Sequence, residues 1–265
     1  MCSLRRFTRS SLLSLGLTYG RTADPRAIER FLETVRPVET QHELIRLGGD
    51  TDGGYLVPDD LDGIGACFSP GVSVVARFEE DLAARGIKCF LADASVAAPP
   101  VKNDLFDFER KFLGPTSTDE FMTLDDWVDR KAPGESDFIL QMDIEGAEYG
   151  VLLSASRETL RKFRIIVIEF HGLPRIYDRT GIELISLAFS KLLTDFDPVH
   201  IHPNNNGATV RFGKFETPRL TEFTFLRRDR IKSRRYATHF PHHLDRKNVP
   251  DRPDLHLPAC WYQTA

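Results

Sequence analysis

The sequence predicts an α/β domain: a Rossmann-like, doubly wound sheet, mostly parallel, ending in a C-terminal antiparallel hairpin. Three observations predict it. Short unbroken apolar runs, of the kind found in strands buried on both faces, alternate with segments of helical period. One strand, turn, helix and second strand ending in an acid fit within about thirty residues, the size of a parallel β-α-β unit. The apolar run Phe138 to Met142 spills directly into Asp143, Glu145 and Glu148, with Gly146 among them. Acids placed where a strand hands over to a helix line the edge of an open sheet at which ligands bind.

Taken in order, Asp24-Pro25 opens a helix, the Asp capping and the Pro occupying the first turn. Ile28, Phe31, Leu32 and Val35 follow at helical spacing, and Pro37 stops it. Leu44 to Pro58 reads as a strand, a glycine-rich turn through Asp52-Gly53-Gly54-Tyr55, and a second short strand. Ile64 to Phe68 is a strand that turns through Ser69-Pro70-Gly71-Val72-Ser73 into a helix carrying Val75, Phe78 and Leu82 on one face. Gly86 closes that helix, and the next strand, Ile87 to Ala92, ends at Asp93. A strand is expected within Leu105 to Leu113. Thr123 and Asp126 have capping-box spacing before a helix face of Leu124, Trp127 and Val128. The strand Phe138 to Met142 precedes a helix from about Ala147, and Arg164 to His171 forms a further buried strand. Thr180 and Glu183 repeat the capping-box spacing ahead of a stripe of Ile182, Ile185, Ala188, Phe189 and Leu192. Val199 to His202 and Glu222 to Leu226 complete the sheet. The expected division is an N-terminal helical extension (1–43), the main domain (44–228), and a basic, His- and Pro-rich tail (229–265) packing on it.

With 265 residues, 41% of them hydrophobic and 28% charged, the chain suits a soluble globular protein. Its net charge of −4 argues against a nucleic-acid partner. No run approaches the ~18 apolar residues of a membrane span. Cys2, Cys67, Cys89 and Cys260 form no CxxC pair, which fits a reducing, cytoplasmic location without a zinc or disulfide framework. Arg5, Arg6 and Arg9 with neighbouring serines hint at targeting, but Leu12 to Tyr19 is a short, broken apolar stretch for a signal.

A nucleotide-type ligand needs a tight turn after the first strand and an acid after the second to accept from ribose hydroxyls. Gly71 and Asp93 stand at those places. The G-x-G-x-x-G diphosphate fingerprint is absent, which counts against NAD and less against S-adenosylmethionine, a cofactor with no phosphate.

Asp143-Ile144-Glu145-Gly146-Ala147-Glu148-Tyr149 resembles the D-x-E-G-x-E signature of the FkbM-type methyltransferases. Asp52-Gly53-Gly54-Tyr55, Phe78 to Ala83, Leu124-Asp125-Asp126-Trp127 and Ile168-Glu169-Phe170-His171 resemble further segments of such methyltransferase-like proteins, in the same order, across roughly Leu44 to Leu226. The resemblance implies a class I methyltransferase sheet and S-adenosyl-L-methionine as cofactor. It also implies O-methylation of a carbohydrate or small metabolite. One departure is the first motif, reduced to Phe68-Ser69-Pro70-Gly71.

Methyl transfer needs an oxygen placed in line and relieved of its proton. The candidate catalytic residues are Asp143, Glu169 and His171, all at strand ends. The candidate cofactor contacts are Ser69, Gly71, Asp93, Ala94, Ser95, Asp143 and Glu145. His171 suits a general base because its ordinary pKa lies near neutrality. Glu145 and Glu148 fit a helix start as well, and capping is the expectation for Glu148. A metal reading, with Asp143, Glu169, His171 and His202 as ligands, lacks any recognised motif spacing, and no metal is the preferred expectation. His200 and His202 alternate and so share a face, with Asn204 and Asn205 following. The irregular context of His239, His242 and His243 argues against a metal site in the tail. The basic run Arg227 to Arg235 reads as a solvated loop or, more sharply, as a contact for an anionic acceptor. Two other functions stay open: an NAD(P)-dependent oxidoreductase, and a non-catalytic binding protein on a methyltransferase scaffold.

Overall fold

A computed structural model describes residues 20–134 and 137–263. The Leu12 to Tyr19 stretch and Cys2 lie outside the described residues.

The central sheet has seven strands. In chain order they are β4 (Ile64–Pro70), β5 (Lys88–Ala92), β6 (Phe106–Glu109), β9 (Asp137–Met142), β10 (Phe163–His171), β11 (Phe196–Pro203) and β14 (Leu220–Arg227). Across the sheet they lie β6-β5-β4-β9-β10-β14-β11. The chain first winds outward from β4 to β6, then returns beside β4 and winds the other way, so the order reverses between β4 and β9. This is the doubly wound arrangement, with its crevice at the reversal. β14 is antiparallel to both of its neighbours and the other pairings are parallel, which gives a Rossmann-like, mostly parallel sheet with a C-terminal antiparallel strand. A short separate pair, β7 (Phe112–Leu113) with β8 (Phe121–Met122), precedes β9 in the chain.

Two apolar layers cover the sheet. One gathers α1 (Pro25–Thr34), α3 (Leu124–Lys131), α4 (Glu148–Ser154), α5 (Arg157–Arg161) and α6 (Arg179–Leu192) around Phe68, Trp127, Phe170, Phe189 and Phe223. The other holds α2 (Arg77–Ala83) and the separate hairpin of β2 (Leu44–Leu47) and β3 (Tyr55–Pro58) around Val57, Phe78, Cys67 and Cys89. Cys67 and Cys89 are fully buried partners on adjacent strands.

Asp24 caps α1 through Arg26 N and Thr123 caps α3 through Asp126 N, as their spacing predicts. Three expectations change. The helix after β4 begins only at Arg77, because Gly71 to Ala76 is drawn into the crevice and Ser73 takes a positive φ of 42°. Asp178, not Thr180, caps α6: its carboxylate accepts from the N–H groups of Thr180 and Gly181. The segment between β11 and β14 contains a further hairpin, β12 (Thr209–Phe212) with β13 (Phe215–Pro218).

The tail is integral to the body. β15 (Arg235–Tyr236) pairs with β1 (Val38–Glu39), and Trp261 is fully buried with its ring edge against Phe31 and Phe223. The basic run pairs internally, Arg227 with Asp137, Arg228 and Arg234 with Asp197, Arg230 with Asp60 and Arg235 with Glu39, so these arginines clamp the chain to the sheet. Among the described residues no helix is long and apolar enough to cross a membrane.

Candidate active site

The carboxyl ends of β4, β5 and β9 open into a cavity of about 470 Å³. Its floor depends on Gly71. The residue has φ +89°, and a Cβ there would come within 1.6 Å of the Asp143 carbonyl oxygen. Only glycine lets the turn after β4 pass this close to the turn after β9. Asp93, at the end of β5, holds the next two turns together. Its Oδ2 accepts from Ser73 N at 2.9 Å, and its Oδ1 accepts from Ser95 N at 2.7 Å and Ser95 Oγ at 2.6 Å.

Of the expected cofactor contacts, Gly71, Asp93, Ser95, Asp143 and Glu145 line this cavity. Ser69 and Ala94 do not. Ser69 is fully buried beneath the floor, where its hydroxyl meets Glu79 Oε1 and, at 2.7 Å, Gln141 Oε1. Gln141 in turn donates to Tyr55 Oη at 3.2 Å. Burial pushes the Glu79 carboxyl up to about 7. Near neutrality it is therefore partly protonated and able to donate to Ser69, whose single proton cannot serve two acceptors at once. Glu79, Gln141 and Tyr55 all line the cavity, and sequence reasoning passed over them as site residues. Tyr55 belongs to the quoted Asp52-Gly53-Gly54-Tyr55 string and Glu79 to the helix segment Phe78 to Ala83, so a signal was present.

The cavity wall carries five carboxylates, Asp52, Glu79, Asp93, Asp143 and Glu145, against one guanidinium, Arg77. Such a wall favours a ligand with net positive charge. Asp143 Oδ1 is buried without a hydrogen-bond partner, and burial pushes the carboxyl up to about 7 against the pull of His171. A carboxyl poised there suits proton transfer at neutral pH.

Asp143, Glu169 and His171 converge, with ligand-type atoms within 4.8 Å of one another. His171 Nε2 lies 3.3 Å from Glu145 Oε2, 3.7 Å from Glu169 Oε1 and 3.9 Å from Asp143 Oδ1. On the other side of the ring, Nδ1 stands 3.0 Å from Glu148 Oε1, which also accepts from Gly146 N at 2.9 Å. Glu148 does not cap the helix as expected: it is the first residue of α4, no side chain caps that helix, and its carboxylate instead braces the Gly146 turn and orients the imidazole. Burial opposes charge on His171, but the Glu148 bond and the surrounding carboxylates outweigh it and raise its pKa. Glu169 and His171 lie behind Asp143 and do not themselves line the cavity.

Behind Asp143 the sheet register sets up a polar row. Glu222 on β14 pairs with Glu169 on one side and with His202 on the other. Two opposed carboxylates repel, and amides offset this. Asn204 Nδ2 donates to Glu169 Oε2 at 2.9 Å, and Asn248 Nδ2 donates to Glu222 Oε1 at 2.6 Å. Both amides also reach Asp52 Oδ1, at 3.3 and 3.1 Å. Asn205 instead ties down the tail through the carbonyls of Val249 and Pro253. His202 does not join Asp143, Glu169 and His171; it groups with His200 and Asp245.

Residues 86–200 match the methyltransferase FkbM domain family. That span holds Asp93, Asp143, Glu145, Glu148, Glu169 and His171, while Gly71, Tyr55 and the tail lie beyond it. No curated protein matches the chain. Among solved structures, the chain resembles a Pyrococcus horikoshii protein provisionally described as an RNA methyltransferase, with 11% identity and a TM-score of 0.34, over 63% of this chain and 76% of that one.

Proposed function

Taking residues 86–200 as an FkbM-type methyltransferase domain, we propose that the protein is an S-adenosyl-L-methionine-dependent methyltransferase acting on a hydroxyl oxygen of a carbohydrate or small metabolite. The observation that carries this reading is the acid-lined cavity at the sheet reversal, with Asp143 in its wall and the buried Asp143 Oδ1 turned toward His171 behind it. S-adenosylmethionine supplies a methyl group on a sulfonium, a good leaving group, and its sulfonium and ammonium against one carboxylate match a wall of five acids and one arginine. A dinucleotide, with two negatively charged phosphates, matches it poorly, so the charge favours this reading over the nicotinamide one.

In this reading Gly71 gives the cofactor close approach to backbone, and Asp93 and Ser95 offer acceptors for ribose hydroxyls. Asp143 would position either the methionyl end of the cofactor or the acceptor. The acceptor proton would pass to Asp143 in the wall and on to His171 behind it, with Glu148 holding the imidazole ring in one orientation. Glu169 and Asn204 back this pair from behind.

Calorimetric titration with S-adenosylhomocysteine and, separately, NAD tests the cofactor. Binding of the former alone is expected; no binding of S-adenosylhomocysteine by the full chain would sink the enzyme reading. Asp143→Asn and His171→Ala should stay folded and lose about 10²-fold or more in methyl transfer, the usual worth of general-base catalysis. Early melting with activity per folded molecule intact would make that residue structural.

A further inference from the structure

We propose that His200, His202 and Asp245 form a site for one divalent transition-metal ion, of the zinc class, which pins the C-terminal segment onto β11. This does not depend on the methyltransferase reading.

The three residues present ligand atoms within 4.8 Å of one another. His200 and His202 lie two apart on one strand and therefore project from the same face. Asp245 reaches them from the tail, 45 residues after His200. Its Oδ2 is already fixed by His242 N at 2.7 Å, which leaves Oδ1 free to face the two rings. Oδ1 lies 2.8 Å from His200 Nε2 and 3.5 Å from His202 Nδ1. Ligands at about 2.0–2.2 Å around a tetrahedral ion stand roughly 3.3 Å apart. The two observed spacings bracket that value, and the two imidazoles present their ligand atoms within 4.8 Å of each other.

A second, independent observation points the same way. His202 is 5% exposed, and neither of its ring nitrogens has a hydrogen-bond partner. Buried polar atoms are nearly always satisfied, and an orphaned imidazole turned toward a second imidazole and a carboxylate calls for something between them. Two imidazoles and a carboxylate are the donor set of first-row transition metals rather than of Mg²⁺ or Ca²⁺. Glu222, directly across from His202, adds negative charge, and Arg46 opposes it. None of the ligands is one of the tail histidines.

The seat matters because of where the chain goes beyond Asp245. Three residues later, Asn248 bridges Asp52 and Glu222, and Asp52 lines the cavity. An ion holding Asp245 would hold this bridge in place.

Chelator-stripped full-length protein titrated with Zn²⁺ and with Co²⁺ tests the proposal. The expected result is one equivalent bound, with the visible absorption of a low-symmetry Co²⁺ site and a higher melting temperature with Zn²⁺. His202→Gln and Asp245→Asn should each weaken binding ten-fold or more, while His171→Gln leaves it unchanged. Should either variant fail to fold, limited proteolysis of the wild type decides, since chelation is expected to speed cleavage after residue 236 and Zn²⁺ to restore protection. Absence of stoichiometric binding would overturn the site, leaving His202 as a protonated partner of Asp245. So would binding that survives His202→Gln but is lost on replacing His239 or His243.

Discussion

His171 Nδ1 stands 3.0 Å from an oxygen of Glu148, a carboxylate with no side-chain exposure to solvent. The pair joins the end of β10 to the start of α4 and raises the His171 pKa. A base must be neutral, so methyl transfer should fall as pH drops through a value above 6.5, the ordinary value of the group. The stability this pair contributes has the sign of a raised histidine: full below about 6.5 and lost as pH rises through the folded value. Glu148→Gln removes the charge, so the acidic limb of the rate profile should move to lower pH. An unmoved limb would take His171 out of the role of base.

Gly71→Ala should be among the most damaging single substitutions. The new Cβ would meet a backbone carbonyl, which cannot swing aside as a side chain can, and φ +89° is disfavoured for alanine as well. A loss of about 3 kcal/mol or more is expected from backbone strain plus the clash. Urea melts of the two proteins check it; an unchanged midpoint would mean that the turns after β4 and β9 do not cross as described.

Asp93→Ala should weaken S-adenosylhomocysteine binding by about 1–3 kcal/mol, the range for losing a polar partner. It also strands the Ser73 and Ser95 N–H groups. Asp93→Asn retains an acceptor for one of them and should lose less. Calorimetry in which both variants bind like the wild type would remove Asp93 from the cofactor site.

Glu79 gives a stability prediction independent of activity. Burial raises its pKa from 4.5 to about 7 in the folded chain, so the folded state holds the proton more tightly than the unfolded one. The stability this group contributes is full below about 4.5 and is lost as pH rises to about 7, on the order of 3 kcal/mol by linkage. Glu79→Gln keeps a donor for Ser69 without the titration. Its stability should therefore gain on the wild type between about pH 4.5 and pH 7, and parallel profiles across that range would contradict a buried, proton-sharing Glu79.

Much of this molecule was legible in its residues. An apolar run such as Phe138 to Met142 has one physical destination, a strand buried on both faces, and the acids after it must then lie at the strand's carboxyl edge. Asp143, Glu169, His171, Gly71 and Asp93 were readable for that reason. Helix starts were legible where one side chain caps locally, as at Asp24 and Thr123, and misread at Thr180 because Asp178 competes for the same N–H groups. What only the tertiary structure decided is which distant groups share the site. Asp52 and Asn248 stand 196 positions apart and touch. Glu222 sits between Glu169 and His202 because of the register of β14, and a slip of one residue would have turned it to the opposite face. Local sequence dictates which face and which end of an element a residue occupies. Pairing register and the path of the tail are settled by the packing of the whole chain, and they brought Asp245 to His202 and Asn248 to Asp52.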